Sequence, residues 1–193
     1  MAWLVAGLGN PGDRYAVSRH NIGRMVVEAM ARDAGERFRK ARFVPAEVAE
    51  IAVGGQRVVL VRAQRYMNES GPAYASVAKK REIDPAHLIA VHDELDIPAG
   101  SLRVKLGGGN SGHNGLRSLQ QALRTPDFLR IRVGIGRPPG RQDPADFVLE
   151  PVGKKAQAAI AVWVDRAADA VRSLIADGVT ATQDRFNHRA GSE

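Results

Sequence analysis

The sequence of 193 residues contains no cysteine. This excludes disulfide bonds, thiolate metal sites and cysteine nucleophiles, and it is typical of proteins from a reducing compartment, so we expect the chain in the cytoplasm. No apolar run approaches the roughly 20 residues that span a bilayer, so no membrane segment and no membrane partner is predicted. The first residues carry no basic side chain ahead of their short apolar run, which argues against a signal peptide.

Acidic side chains are nearly absent between Gly100 and Arg141, where Asp127 is the only one. Eight basic residues there give this segment a net charge of 8 minus 1, or +7, which equals the formal charge of the whole chain. An anionic partner such as RNA explains this pattern, and so does a solvated basic surface that binds no nucleic acid. The basic residues are Arg103, Lys105, Arg117, Arg124, Arg130, Arg132, Arg137 and Arg141.

The order of hydrophobic patterns indicates an α/β fold. Apolar runs predict strands at residues 4–7, 48–53, 58–61, 88–91, 103–106 and 131–135, with a hairpin turn at Gly54-Gly55. Amphipathic periodicity predicts helices at residues 21–34, 73–81, 114–123 and 154–176. Strands alternating with helices favour a three-layer α/β/α sandwich around a twisted mixed sheet. The length suits one domain over residues 1–193, with a C-terminal helical flank from about residue 151.

His20 and Asp93 are the first candidates for chemistry. His20 starts a predicted helix after a polar loop, so we expect it to face a cleft and to be kept neutral by the helix N-terminus. Asp93 follows a buried strand, and a carboxylate bonded to one imidazole nitrogen helps the other nitrogen to take a proton from water. Two alternatives stay open: His20 only caps its helix, or Asp93 forms an acidic metal site with Glu94 and Asp96, although no second ligand cluster is visible.

Polar residues in two turns are further candidates. Residues 7–12 (GLGNPG) follow the first strand, but Pro11 interrupts the dinucleotide-binding pattern, so a phosphate-binding loop is disfavoured. Asn10 either closes a structural turn or offers its amide to a ligand. Tyr66 could stack on a base or a ribose, and Asn68 either contacts a peptide group or a sugar or caps the next helix.

A glycine-rich segment at residues 107–115 leads from a basic strand into a helix, and five of its nine residues are glycine. Such a loop lets backbone amides approach a ligand closely and places a helix N-terminus beside an anion. His113 and Asn114 are its specific polar groups. The alternative is a flexible linker.

Six motifs together resemble, in order, those of the bacterial peptidyl-tRNA hydrolase family. The resemblance runs from the first strand to about Phe147 and is looser after Pro151, where the long helix could serve as a lid or as a flank facing tRNA. Each motif is weak alone, but the combination is specific. The motifs are GLGNPG at 7–12, RHN at 19–21, YMN at 66–68, HDELD at 92–96, GHNGLRS at 112–118 and GIGRPPGR at 134–141.

The resemblance implies a monomeric esterase without a metal, a cofactor or an obligate protein partner. Its substrate would be peptidyl-tRNA, cleaved between the peptide and the 3′-terminal adenosine so that the tRNA from a stalled or prematurely released chain is recycled. His20 matches the family's catalytic histidine, and Asp93 matches the carboxylate that keeps it basic. Asn10 matches the asparagine that distinguishes a blocked amino group from a free one.

The resemblance also implies a binding site for the tRNA end. The matching positions are Tyr15, Tyr66, Asn68 and Asn114, and His113 lies within the same motif as Asn114. Lys105 and Arg132 resemble a phosphate-contacting surface beyond the cleft. Contacts to phosphates alone would suit an enzyme that accepts every tRNA.

Two other functions are compatible with parts of the sequence. A non-catalytic RNA-binding relative would keep the fold and the basic surface, but the joint presence of the catalytic and asparagine residues argues against it. A small-molecule esterase or amidase would use the same histidine and aspartate, but the basic segment would then have no purpose. Strong salt dependence of activity would favour the tRNA substrate over a small molecule.

Overall fold

The computed structural model describes residues 1–187. Within them the chain forms seven strands and six helices. The strands are β1 Ala2–Gly7, β2 Arg39–Lys40, β3 Ala46–Val53, β4 Gln56–Ala63, β5 Leu88–Glu94, β6 Leu102–Leu106 and β7 Leu129–Gly134. The helices are α1 Ile22–Asp33, α2 Gly71–Lys80, α3 Asn114–Leu123, α4 Pro144–Leu149, α5 Lys154–Asp177 and α6 Val179–Phe186.

All seven strands belong to one sheet in the order β2-β3-β4-β1-β5-β7-β6. The four central strands β4, β1, β5 and β7 run parallel, while β2, β3 and β6 join as antiparallel neighbours. After β1 the chain crosses to the edge strand β2 and returns through β3 and β4 to the side of β1, and β5 then pairs with the other side of β1. A crevice forms where the carboxyl ends of β1 and β5 meet, which is where open α/β sheets bind ligands.

Helices cover both faces of the sheet. On one face α1 and α5 pack against each other and bury a cluster that includes Val26, Ile89, Ile131 and Val171. On the other face α2 and α3 pack together over a second cluster that includes Leu4, Tyr74 and Leu119. Successive side chains of β1 enter different cores: Leu4 packs in one and Val5 in the other. This follows from the period of two in a strand.

These observations confirm the predicted three-layer α/β/α sandwich around a mixed sheet. The hairpin at Gly54-Gly55 is present, with Gly54 at φ 55° and Gly55 at φ 78°, which are angles that glycine adopts without strain. The sequence patterns missed β2, α4 and α6, which are short. The last residues of the predicted domain, 188–193, lie outside the described part of the chain.

The C-terminal helix α5 is a core helix. Its buried face, with Ile160, Val164, Val171 and Leu174, lies against α1 and the sheet. The suggestion that it acts as a lid is wrong, because it contributes no residue to the cleft described below. In residues 1–187 no helix combines the length and the apolar character that crossing a membrane requires.

Candidate active site

A cleft of about 740 Å³ opens at the carboxyl ends of β1 and β5. The 3-10 turn Arg19–Asn21 before α1 and the turn Met67–Glu69 before α2 both contribute to it, as do the start of α3 and the helix α4. Eight of the ten residues predicted for the site line this cleft, namely Asn10, Tyr15, His20, Tyr66, Asn68, Asp93, His113 and Asn114. Segments far apart in the sequence thus meet at the crevice of the sheet.

His20 and Asp93 form a direct hydrogen bond. The His20 Nδ1 atom lies 2.9 Å from Oδ2 and 3.0 Å from Oδ1 of Asp93, and the carboxylate is buried. Because a carboxylate only accepts, His20 donates from Nδ1, and its Nε2 atom carries the lone pair. Nε2 has no hydrogen-bond partner among residues 1–187, and the ring lines the cleft. The alternative in which His20 merely caps α1 is wrong, since Asn21 holds the capping position.

A second imidazole, that of His113, bonds the same carboxylate. Its Nε2 atom lies 2.8 Å from Asp93 Oδ1, while its Nδ1 atom accepts from the backbone N–H groups of Gly115 at 3.1 Å and Leu116 at 3.3 Å. These two backbone donors require an unprotonated Nδ1, so the proton of His113 resides on Nε2. The ring therefore caps α3 and donates to Asp93 at the same time.

The pKa shifts of Asp93 and His20 agree with this arrangement. Burial by itself raises the pKa of Asp93, but the two neighbouring imidazoles and their hydrogen bonds lower it by more, so Asp93 is a carboxylate. Burial lowers the pKa of His20, whereas the charge of Asp93 and the hydrogen bond to it raise it, and the pKa ends above 6.5. The adjacent carboxylate, and not the helix N-terminus, therefore sets the direction in which the pKa of His20 moves.

The same three residues place one ligand atom each within 4.8 Å of one another, a spacing that a metal ion can use. His113 is poorly suited to that role, because Nδ1 is occupied by two backbone donors and Nε2 carries the proton. The alternative in which Asp93 binds a metal together with Glu94 and Asp96 is wrong, because both of those carboxylates are paired with arginines. Glu94 lies 3.5 Å from Arg132, and Asp96 is paired with Arg137 at 2.8 Å.

Close backbone packing sets the position of His20. Gly23, in the first turn of α1, lies so near β5 that a Cβ atom there would be 1.9 Å from the carbonyl oxygen of Val91. The backbone N–H of Arg24 donates to the carbonyl of Leu8 at 3.1 Å, which ties the same turn to the end of β1. The start of α1 thus rests directly on the strands that carry the cleft. His20, three residues earlier, is held beside Asp93, two residues beyond Val91.

Asn10 is both structural and available. Its backbone N–H and C=O bond the side chain of Asn21 at 2.8 and 2.9 Å, and its own Oδ1 accepts from the backbone N–H of Met67 at 2.7 Å. The acceptor of the amide is therefore used, and the Nδ2 donor is what remains for a ligand. The two readings of Asn10 left open by the sequence are not exclusive.

The remaining candidates in the cleft form its walls. Tyr15 and Tyr66 meet edge to face with their ring centroids 6.4 Å apart, and Tyr66 is 57% exposed. Asn68 is exposed in the turn before α2, and Ser70, not Asn68, holds the capping position of that helix. The capping interpretation of Asn68 is therefore wrong. Asn114 is exposed at the first residue of α3.

The basic segment is not one uniform surface. Lys105 and Arg132 lie on the neighbouring strands β6 and β7 and are half-buried outside the lining of the cleft. Arg130 is completely buried, and its guanidinium donates to the carbonyls of Gly108, Gly109 and Pro126 at 2.6 to 3.0 Å. Neither an anionic partner nor a solvated basic surface therefore explains Arg130, which is buried and holds the glycine-rich loop.

Two features of that loop also differ from expectation. Arg130 and Gln120, which donates to the Gly108 carbonyl at 3.0 Å, anchor it, so the linker interpretation is wrong. The N–H groups of Gly115 and Leu116 at the start of α3 are occupied by His113, so they are not free to bind an anion. These two donors therefore do not form the anion site that was expected at the N-terminus of α3.

Sequence reasoning missed several residues of the site. His92 is buried, donates from Nδ1 to the Asp93 carbonyl at 2.8 Å and packs edge-on against His113 at 5.0 Å. Burial, with the nearby His113 and Arg130, lowers the pKa of His92 to about 3, so it is a neutral support.

Arg117 and the helix α4, including Val148 and Leu149, also line the cleft. The first turn of α4 carries Pro144 after the capping residue Asp143, which is a recognisable helix-start signal.

Comparison with known proteins gives a consistent result. The sequence model of the peptidyl-tRNA hydrolase family matches residues 4–193, so the similarity extends beyond Phe147, where the motifs alone were expected to end. A peptidyl-tRNA hydrolase from Cutibacterium acnes is 50% identical over 196 residues, covering 96% of this chain and 98% of that protein. One from Frankia alni is 51% identical over 185 residues, covering 96% of this chain and 93% of that protein.

The fold comparison leads to the same family. A crystal structure of peptidyl-tRNA hydrolase from Acinetobacter baumannii superposes with a TM-score of 0.89 at 33% sequence identity, covering 97% of this chain and 95% of that one. The family resemblance predicted from six short motifs is confirmed over nearly the full length, and the chain belongs to the peptidyl-tRNA hydrolase family.

Proposed function

We propose that the chain hydrolyses the ester bond between a peptide, or an N-blocked aminoacyl group, and the 3′-terminal adenosine of tRNA. The observation that supports this most is the cleft in which Asp93 holds Nδ1 of His20 at 2.9 Å and leaves Nε2 with its lone pair. Family membership supplies the substrate class. The product tRNA is returned to translation from stalled or prematurely released peptidyl-tRNA.

In the proposed reaction, Nε2 of His20 takes a proton from water as the water oxygen attacks the ester carbonyl carbon. Asp93 stabilises the imidazolium that forms, because it accepts the hydrogen bond from the Nδ1–H group and carries the opposite charge. The tetrahedral intermediate then expels the ribose oxygen, which takes the proton from Nε2. The ester C–O bond breaks, the carboxylic acid and the ribose hydroxyl are formed, and His20 returns to its starting state.

We assign His113 a positioning role rather than a contact to tRNA alone. Its proton is fixed on Nε2 by the two backbone donors on Nδ1, so it can only donate to Asp93. His20 lies within hydrogen-bond distance of both Asp93 oxygens and His113 holds Oδ1, so rotation of the carboxylate would break the bond to His113. This keeps the acceptor for His20 in place during the reaction.

The asparagines and tyrosines are proposed to bind the substrate on either side of the ester. The free Nδ2 donor of Asn10 suits the carbonyl oxygen of the peptide group that an N-blocked substrate has and a free-amino substrate lacks. Asn68 and Asn114 offer exposed amides, and Tyr15 and Tyr66 offer ring faces for the terminal nucleoside. Lys105 and Arg132, outside the cleft, are proposed to contact phosphates of the tRNA body.

We further propose that the enzyme works in the cytoplasm as a single-domain monomer without a cofactor or an obligate protein partner. The His20–Asp93 pair lies entirely within one chain, and the cleft is lined by residues of that chain. An ester is reactive enough to be hydrolysed by an activated water with amide donors near its carbonyl, so the proposed chemistry needs no metal.

The first experiment measures release of tRNA from N-acetyl-aminoacyl-tRNA by the native chain and by His20→Ala. We expect cleavage that is unaffected by a chelator and is lost by about a thousandfold or more in His20→Ala, as for other catalytic bases. Free-amino aminoacyl-tRNA is the matched control and should survive. His87→Ala, which removes a histidine outside the cleft, is the control variant.

Each alternative function gives a different result. Tight binding of tRNA without any cleavage would support the RNA-binding alternative. Cleavage of small esters with little dependence on salt, and no preference for tRNA, would support the small-molecule esterase. Full activity in His20→Ala would refute the proposed base.

A further inference from the structure

The charged residues that line the cleft are unequal in number. Three are acidic, namely Asp93, Glu94 and Asp143, and Arg117 is the only basic one among those of residues 1–187. A cleft for a nucleic acid that presented three free carboxylates would repel its substrate. The state of these four side chains therefore decides what the cleft can bind.

All three acidic groups are engaged within the protein. Asp93 accepts from both imidazoles, at 2.9 Å from His20 and 2.8 Å from His113. Glu94 is buried and lies 3.5 Å from the guanidinium of Arg132. Asp143 caps α4 by accepting from the backbone N–H of Ala145 at 2.9 Å. These carboxylates hold the walls of the cleft together.

Arg117 is in the opposite situation. Its side chain is exposed, and within residues 1–187 its guanidinium makes neither an ion pair nor a hydrogen bond. It lies three residues after Asn114, so the two side chains share one face of the first turn of α3. Side chains of a helix lean toward its N-terminus, which directs Arg117 toward the part of the cleft that holds Asn114 and His113.

We propose that Arg117 binds the phosphate on the 5′ oxygen of the terminal adenosine and so makes the cleft select nucleotide esters over nucleoside esters. This inference rests on the proposed function, which places the ester of that adenosine beside His20. The 5′ phosphate is the anion of the substrate nearest to the ester, since only the ribose separates them. A planar guanidinium matches the geometry of a phosphate and can donate two parallel hydrogen bonds.

The other basic candidates are placed for different phosphates. Lys105 and Arg132 do not line the cleft, and Arg132 is already beside Glu94. They can meet the RNA only outside the crevice, further along the chain from the ester. Arg117 alone, among the described basic residues, shares the cleft with His20, so it alone is placed to read the last phosphate.

The test compares two short substrates, 3′-O-(N-acetylphenylalanyl)adenosine and the same ester of adenosine 5′-monophosphate. The native chain is expected to cleave the phosphorylated ester with a kcat/KM at least about tenfold higher, in line with a charge-assisted hydrogen bond. In Arg117→Gln this preference should fall to about twofold or less, through KM, with little change for the nucleoside ester. Arg117→Lys should retain part of the preference.

Arg124→Gln is the matched control, because Arg124 is an exposed arginine at the opposite end of the same helix, and it should keep the native preference. If the short esters react too slowly, inhibition of N-acetyl-aminoacyl-tRNA cleavage by adenosine 5′-monophosphate and by adenosine gives the same comparison. Equal losses on both substrates in Arg117→Gln, or no preference in the native chain, would overturn the assignment of Arg117. Failure to cleave N-acetyl-aminoacyl-tRNA would instead overturn the proposed function.

Discussion

Asp93 and Arg130 are buried charged side chains on the neighbouring strands β5 and β7, and they are stabilised in different ways. Asp93 is 3% exposed at the cleft, and both of its partners are imidazoles. Arg130 is fully buried beneath the glycine-rich loop, where it donates to three backbone carbonyls and lies 4.5 Å above the ring of Phe128.

The difference between the two centres lies in their partners. Backbone carbonyls keep the same charge at every pH, so the surroundings of Arg130 can hold a loop but cannot move a proton. The imidazole of His20 has a free nitrogen, Nε2, that can take up and release a proton, so the surroundings of Asp93 can take part in proton transfer during a reaction. Burial of a charge therefore identifies an important residue, and the chemistry of its partners indicates whether that importance is catalytic or structural.

The strongest test of this comparison is Asp93→Asn. We expect kcat to fall by about a thousandfold while the melting temperature and the affinity for tRNA change little, because the substitution removes the partner of His20 and no phosphate contact. Without the carboxylate, burial still lowers the pKa of His20 and its charged partner is gone, so the acid limb of the kcat/KM profile should move to lower pH. A loss of tRNA affinity equal to the loss of kcat would contradict the catalytic assignment.

Arg130→Met should have the second largest effect, and on stability rather than on chemistry. The substitution leaves three carbonyl groups without their donor, and we expect unfolding free energy to fall by about 3 kcal/mol, as when one partner of a buried charged network is removed. Chemical denaturation measures this change. Arg137→Met, at an exposed ion pair with Asp96, is the matched control and should stay within about 0.5 kcal/mol of the native chain. A stability loss in Arg130→Met as small as in that control would refute the structural role.

His113→Asn gives the smallest effect and separates the two duties of that residue. Asparagine is a good capping residue, so α3 should keep its cap, but its short side chain cannot reach Asp93. We expect kcat to fall about tenfold. Asp93 would then have one donor fewer, so its attraction for the His20 proton should increase and the acid limb should move to higher pH, opposite to its direction in Asp93→Asn. An unchanged pH profile would show that His113 only caps the helix.

Much of the site could be predicted from sequence because its motifs stand at the ends of strongly patterned elements. Asn10 follows β1, His20 precedes α1, and Asp93 lies at the carboxyl end of β5, so a parallel sheet brings them to one edge. The hairpin and the four long helices were equally visible, since each has a clear hydrophobic period and a turn or capping signal.

Other features could not be predicted because they depend on tertiary contacts. Arg130 has the same charge as Arg132 two positions later on the same strand, and only the position of the glycine-rich loop explains why Arg130 is buried. The double role of His113 depends on an aspartate twenty residues earlier in the chain. Helix α4 has only six residues, too few to establish a period, and it packs against a distant part of the chain, where the guanidinium of Arg19 lies 4.0 Å from the ring centroid of Phe147.

Gly23 shows how little freedom the catalytic geometry has to change during evolution. A methyl group at this position would occupy the space of a strand carbonyl, and the helix could make room only by carrying His20 away from Asp93. Exposed loops tolerate many substitutions, but at Gly23 one added carbon atom decides whether His20 and Asp93 stay within hydrogen-bond distance of each other. The absence of a side chain at Gly23 is thus a condition for the hydrogen bond between His20 and Asp93.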